Sequence, residues 1–147
     1  MTAVHTKDVE IRCYAGDGFS VVIAVTAGVG NAVDASCAAM REVTAGTINT
    51  WVFVNGRLSD EAFIQAMITA TEAKARALQT EHVLDPLTGT QATGTSTDSV
   101  LIAAVQTGTQ LDYAGPVAPL GKLIGTGVYE CTVRAIRTYK EAKGWNS

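Results

Sequence analysis

Ser59-Asp60-Glu61-Ala62-Phe63-Ile64-Gln65-Ala66-Met67-Ile68-Thr69-Ala70-Thr71-Glu72-Ala73-Lys74-Ala75-Arg76-Ala77-Leu78 is the stretch that decides the fold. Ser59 is a good N-cap, and Asp60 and Glu61 suit the positive end of a helix. Ala62, Ala66, Ala70, Ala73 and Ala77 then recur at spacings of three and four, with Phe63 and Met67 beside them. The pattern predicts a helix to about Thr80. Methyl groups take little room, so an alanine stripe lets a helix lie close against a sheet. Glu72 and Arg76, one turn apart, read as a solvated charge pair.

The strands lie on either side. Val9, Ile11 and Cys13 alternate with Glu10, Arg12 and Tyr14, which predicts a strand with one wet face. Ala15-Gly16-Asp17-Gly18 is a turn. Phe19 to Thr26 is a second strand, and its run Val21-Val22-Ile23-Ala24-Val25 is apolar on both faces, as a central strand would be. From Ala27 to Thr47 the pattern is ambiguous: Asp34 to Arg41 reads equally as a short helix or as a loop. Thr47 to Asn55 is a third strand. Asp85 to Ser96 is a loop, Ser99 to Gln106 a fourth strand, and Gly108 to Pro119 a second loop. Leu120, Ile124, Val128, Cys131 and Ala135 predict a last helix to about Lys143. Gly121 and Gly125, one turn apart on it, admit another backbone. The fold class is therefore α/β, more narrowly α+β. A mixed sheet of at least four strands is expected, in the order β-β-β-α-β-α, with the helices packed on one face. No linker divides residues 1–147, so one domain is expected.

Composition narrows the function classes. The chain has 147 residues, 47% hydrophobic and only 17% charged, with a mean hydropathy of +0.18. That suits one domain with a real core and excludes disorder. Ala, Gly and Thr supply 55 residues and aromatics only 6%, so backbones must approach closely. A net charge of -3 argues against nucleic acid as a partner. No apolar run is long enough for a membrane span, and the first residues lack the form of a signal peptide. Cys13, Cys37 and Cys131 are odd in number and scattered, which reads as reduced thiols in a cytoplasm. With His5 and His82 also isolated, no zinc-ligand spacing exists, and no metal or cofactor is expected. A carboxylate-only site using Asp98 and another acid stays open.

Chemistry concentrates in three loops beside buried strands: Thr26-Ala27-Gly28-Val29-Gly30-Asn31-Ala32, Gly46-Thr47-Ile48-Asn49, and Ala92-Thr93-Gly94-Thr95-Ser96-Thr97-Asp98. Glycine lets backbone N–H groups converge on a carbonyl or a negative charge, and Thr hydroxyls add short, stiff donors. Asn31 and Asn49 can each donate to a carbonyl. Asp98, at a loop–strand junction, suits a general base. The same residue types also build ordinary turns. Lys74 either carries its charge out to solvent or reaches inward, to a loop carboxylate such as Asp98 or to a substrate amide. A Ser-His-Asp triad would require His82 to meet Asp98 and a hydroxyl. Glu130, Tyr129 and Arg134 read as helix surface. Gly-Thr steps at 46–47, 94–95 and elsewhere allow a self-processing Thr nucleophile, which a single uncut chain would exclude.

Read together, these blocks resemble the adenosylcobinamide amidohydrolase family. The resemblance is carried by the three loops, by Ala70-Thr71-Glu72-Ala73-Lys74-Ala75-Arg76-Ala77-Leu78, and by Gly115, Leu120-Gly121-Lys122-Leu123-Ile124-Gly125 and Val128, in family order. Met1-Thr2-Ala3 resembles a segment that is internal in longer relatives, which implies an N-terminally short version of the family domain. The resemblance implies hydrolysis of the amide that joins aminopropanol to the corrin ring of adenosylcobinamide, giving adenosylcobyric acid for cobamide salvage. The cobalt corrinoid is then the substrate, and a homo-oligomer is compatible with it. An alternative is a catalytically inactive corrinoid-binding or regulatory module. For amide hydrolysis, residue chemistry favours Asp98 as base or orienter and Thr95 or Thr97 as its hydroxyl partner. Lys74 would be an electrostatic helper, and Asn49 with the 94–97 backbone would supply oxyanion donors. Thr26, Gly28, Asn31, Thr47, Thr93, Gly94 and Gly121 are the expected substrate-binding residues.

Overall fold

In the computed structural model, which describes residues 4–43 and 45–145, the main elements follow the expected order. The strands are β1 (Glu10–Ala15), β2 (Ser20–Ala27), β3 (Ala32–Val33), β4 (Ile48–Asn55), β5 (Arg57–Leu58), β6 (Gly94–Thr95), β7 (Ser99–Ala104) and β8 (Gln110–Leu111). The helices are α1 (Asp60–Thr80) and α2 (Pro119–Lys143). One four-stranded mixed sheet runs β1-β2-β4-β7, antiparallel except for the parallel β4–β7 pair. Parallel neighbours need a crossover, and α1 supplies it. Two short ladders, β3 with β6 and β5 with β8, were not expected from the sequence.

Both helices cover one face of the sheet. Val21, Ile23, Val25, Val52 and Val54 point into the helices and are buried. Against them lie Ala62, Ala66, Ala70 and Ala77 of α1 and Leu120, Ile124, Val128, Cys131 and Ile136 of α2. Burial pushes the Cys131 thiol up to about 11. Ser59 caps α1, its hydroxyl accepting from the Ala62 amide at 3.0 Å. α2 opens with Pro119 and ends on Gly144 in the left-handed conformation. Gly121 is a close-approach position: a Cβ there would collide with the carbonyls of Ala114 and Gly115. Gly125 meets only a Thr69 methyl at 3.5 Å, an ordinary contact.

Two local expectations are corrected and one open reading is decided. In β1 the apolar set does not face the helices. Register places Tyr14 and Arg12 opposite the buried Val21 and Ile23, so Tyr14 packs on α2 while Ile11 and Cys13 turn away. The Tyr14 hydroxyl donates to Glu130 at 2.7 Å, and burial, with that carboxylate, raises its phenol well above the usual range. Residues 34–41, open between a helix and a loop in the sequence, form a turn and loop. Arg76 donates to Gln79 at 2.6 Å, and no ion pair joins it to Glu72 among the described residues.

Among the described residues, no helix lies on the second face of the sheet. Cross-strand pairing lines up Ile11, Ala24, Trp51 and Leu101 in one row there and Cys13, Val22, Phe53 and Ala103 in the next. Ile11, Phe53 and Leu101 remain 55%, 45% and 46% exposed.

Candidate functional site

The three loops meet at one end of the sheet, where β2 ends and β4 and β7 begin. The Gly28 amide donates to the Thr47 carbonyl at 2.9 Å, and the Thr47 hydroxyl donates to the Thr97 carbonyl at 2.6 Å. The Gly46 carbonyl collects two short bonds, from the Asn31 amide at 2.8 Å and the Thr97 hydroxyl at 2.6 Å. Asn31 also donates to the Ser96 hydroxyl at 2.7 Å. Residues 15 to 65 positions apart in sequence are thereby knitted into one polar cluster.

Asp98 is its centre. One carboxylate oxygen accepts from the Thr95 hydroxyl at 2.6 Å and the Ile48 amide at 3.0 Å. The other accepts from the Thr95 amide at 3.1 Å and the Lys74 ammonium at 2.5 Å. Lys74 therefore takes the second of its two expected routes, reaching the loop carboxylate. It rises from the alanine face of α1 because Ala70 and Ala77 leave space beside it. The pair is mostly but not wholly covered, with side chains 9% and 13% exposed. Gly94 makes room for it: a Cβ there would run into the Asp98 carboxylate and lie 2.9 Å from the Lys74 nitrogen. His82 is not among the partners of Asp98, so no Ser-His-Asp arrangement forms with it.

The remaining candidates fall into four places, the last being Thr93 in the network described below. Thr97 spends its hydroxyl on Gly46 rather than on Asp98. Asn49 and Thr26 lie across from one another on the uncovered sheet face, joined at 3.1 Å, with the Ser99 hydroxyl donating to Asn49 at 2.8 Å. Asn49 follows Ile48, whose side chain is buried on the helix side, so the strand's alternation turns it away from Lys74. Gly121 sits at the start of α2, by Ala114 and Gly115, where α1 also begins. Thr69 of α1 reaches the same Ala114 carbonyl at 2.8 Å, and among the described residues Gly121 takes no part in the hydrogen bonds of the Asp98 cluster.

A neighbouring network escaped sequence reasoning. Asp34 and Asp85 are 8% and 1% exposed. The Asp34 carboxylate accepts from the Ser36 amide at 2.9 Å, the Ser36 hydroxyl at 2.7 Å and the Thr90 hydroxyl at 2.8 Å. Asp85 accepts from the Leu87 amide at 2.9 Å, the Asp34 amide at 3.1 Å and Arg41 at 3.3 Å. Bonding to Ser36 holds the Asp34 carboxyl well below the usual range, and bonding to Leu87, against burial, lowers that of Asp85. Thr93 belongs here too, its hydroxyl accepting from the Ala35 amide at 3.1 Å. The local signal was an acid two residues before a turn amide, at 34–36 and at 85–87. Nothing in the spacing joins the two.

Comparison with known proteins places the chain. The model of the family described as adenosylcobinamide amidohydrolase matches residues 1–144. This chain belongs to the adenosylcobinamide amidohydrolase family. A protein of Methanosarcina mazei named adenosylcobinamide amidohydrolase is 34% identical over 129 residues, covering 82% of this chain and 56% of that protein. An uncharacterized protein of Methanocaldococcus jannaschii is 34% identical over 92 residues, 62% of this chain and 36% of its own length. The chain thus spans about half or less of these curated relatives. No solved structure matches. All three loops, Lys74 and Asp98 lie within the region the family model covers. Among the described residues, no helix is long and apolar enough to cross a membrane.

Proposed function

We propose that this chain hydrolyses the amide joining aminopropanol to the corrin ring of adenosylcobinamide, a salvage step yielding adenosylcobyric acid. Water adds across the C–N bond: the carbonyl carbon becomes a carboxylic acid, and the nitrogen departs with a proton as aminopropanol. The observation that carries the reading is the Asp98 carboxylate, which bridges the Thr95 hydroxyl and the Lys74 ammonium where the three loops meet. A hydroxyl whose proton is directed at a carboxylate keeps its lone pairs for an electrophile or for a water. Lys74 offsets negative charge as the tetrahedral intermediate forms; the Thr95 amide is spent on Asp98, so within the 94–97 backbone the amides of residues 96 and 97 are the proposed oxyanion donors. Asp98 accepts and returns the proton, and Thr95 is favoured over Thr97 because the Thr97 hydroxyl is committed to Gly46.

The test is incubation of the purified chain with adenosylcobinamide, followed by mass analysis for adenosylcobyric acid and aminopropanol. Asp98→Asn should lower turnover by roughly 10²–10⁴-fold with corrinoid binding nearly intact. Full activity in that variant removes Asp98 from the mechanism. Binding by the unaltered chain without release of aminopropanol makes it a corrinoid-binding module instead. A corrinoid adduct on Thr95 after acid quench identifies the nucleophile as Thr95 rather than water.

A further inference from the structure

The end of α1 carries a residue that its backbone does not favour. The Val83 amide donates to the Leu78 carbonyl at 3.0 Å, and the His82 amide donates to the Gln79 carbonyl at 3.1 Å. This is the Schellman closure of a helix, with the buried Leu78 and Val83 as its apolar contact. His82 fills the left-handed position, at φ +49°, that glycine or asparagine ordinarily takes. A side chain kept at a strained position asks for a use. The imidazole is exposed and makes no side-chain hydrogen bond among the described residues. It lines an open hollow of about 800 Å³, walled also by Glu81, Arg137, Lys140 and Trp145. It lines a second hollow of about 140 Å³ as well, which adds Val29 and Gly30. The next residue, Asn31, holds Gly46 and Ser96 in the Asp98 cluster. Lys74 lies eight residues before His82, roughly 12 Å along the helix axis.

Imidazole is the commonest nitrogen ligand for a metal in proteins. The substrate proposed above is a flat cobalt macrocycle whose reactive amide hangs from its rim. We propose that the hollow seats this ring with His82 Nε2 or Nδ1 bound to its cobalt, leaving the rim arm to cross Gly30–Asn31 to Asp98. A Co–N bond forms as a Co–OH₂ bond breaks, water leaves, and no electron is transferred. The inference rests on the amidohydrolase reading for its ligand but has its own readout.

The probe is cob(II)inamide. Bound to the unaltered chain, its electron paramagnetic resonance lines should each split into triplets from one nitrogen. His82→Gly puts the favoured residue at the left-handed site, so its thermal midpoint should hold or rise. That variant should lose the triplet splitting and bind cobinamide about tenfold or more weakly, a difference of ~1.4 kcal/mol per tenfold. Triplets that persist in His82→Gly, or that are absent from the unaltered chain, overturn the assignment. Hydrolysis without triplets removes His82 and leaves the amidohydrolase reading standing. Triplets without hydrolysis uphold His82 and remove that reading.

Discussion

Gly94 sets the limit on what the Asp98–Lys74 pair tolerates. Its missing side chain is the space the ion pair occupies, because the Asp98 carboxylate is held by bonds from Ile48 and Thr95 and cannot retreat. Gly94→Ala should cost about 1–3 kcal/mol of stability through overpacking. It should also remove most of the proposed hydrolysis by displacing the carboxylate. Gly89→Ala is the matched control: φ is +71°, yet nothing lies within 4 Å of the added methyl. It should cost about 1–2 kcal/mol through backbone strain alone and leave turnover unchanged. Thermal melts and turnover of the two variants, side by side, check this, and equal turnover in both would refute the packing account. The sequence marked Gly94, Thr95, Lys74 and Asp98 by residue type. It could not show that Thr97 and Asn49, equally suitable by type, spend their polar groups elsewhere. That choice depends on the strand face Asn49 occupies and on the turn between β6 and β7 that carries Thr97.

At the scale of elements, the loop 34–43 is tied down by carboxylates rather than by an apolar face. Met40 and Val43 on it are fully or largely exposed. Asp34 and Asp85 both hold their protons less tightly folded than unfolded. As pH falls below the unfolded carboxyl range, about 4, the unfolded chain takes up protons that the folded chain refuses. Their stabilisation is therefore complete above that range and lost as pH falls toward the depressed folded values. Limited proteolysis between pH 6 and pH 3 should show cleavage within 34–43 beginning on the acid side, before the sheet opens. In Asp34→Asn, cleavage should already occur at pH 6 and change little with acid; an unchanged acid onset would refute the role. This network was illegible because its halves lie 51 positions apart and each half alone is an ordinary turn. By contrast α1 was legible nearly to the residue, since its cap and its alanine spacing are both local signals.

Across the whole molecule, the order of main elements was readable because strand and helix periods differ sharply along the chain. Which face of β1 turns inward was not. Alternation names two faces, but only pairing with β2 chooses between them, and Tyr14 reaches Glu130 where Cys13 could not. That choice leaves Ile11, Phe53 and Leu101 on the sheet face without helices, in rows continuous across four strands. The consequence is one of solvent chemistry. Ions excluded from protein surfaces raise the free energy of wetting such a face. The protein should salt out early along a sulfate series, while chloride at equal ionic strength has far less effect. Phe53→Lys puts a charge into the second of these rows, next to the first, and should move the sulfate precipitation midpoint upward without altering the melting of the helix-covered core. An unmoved midpoint would mean that this face does not govern the protein's solubility.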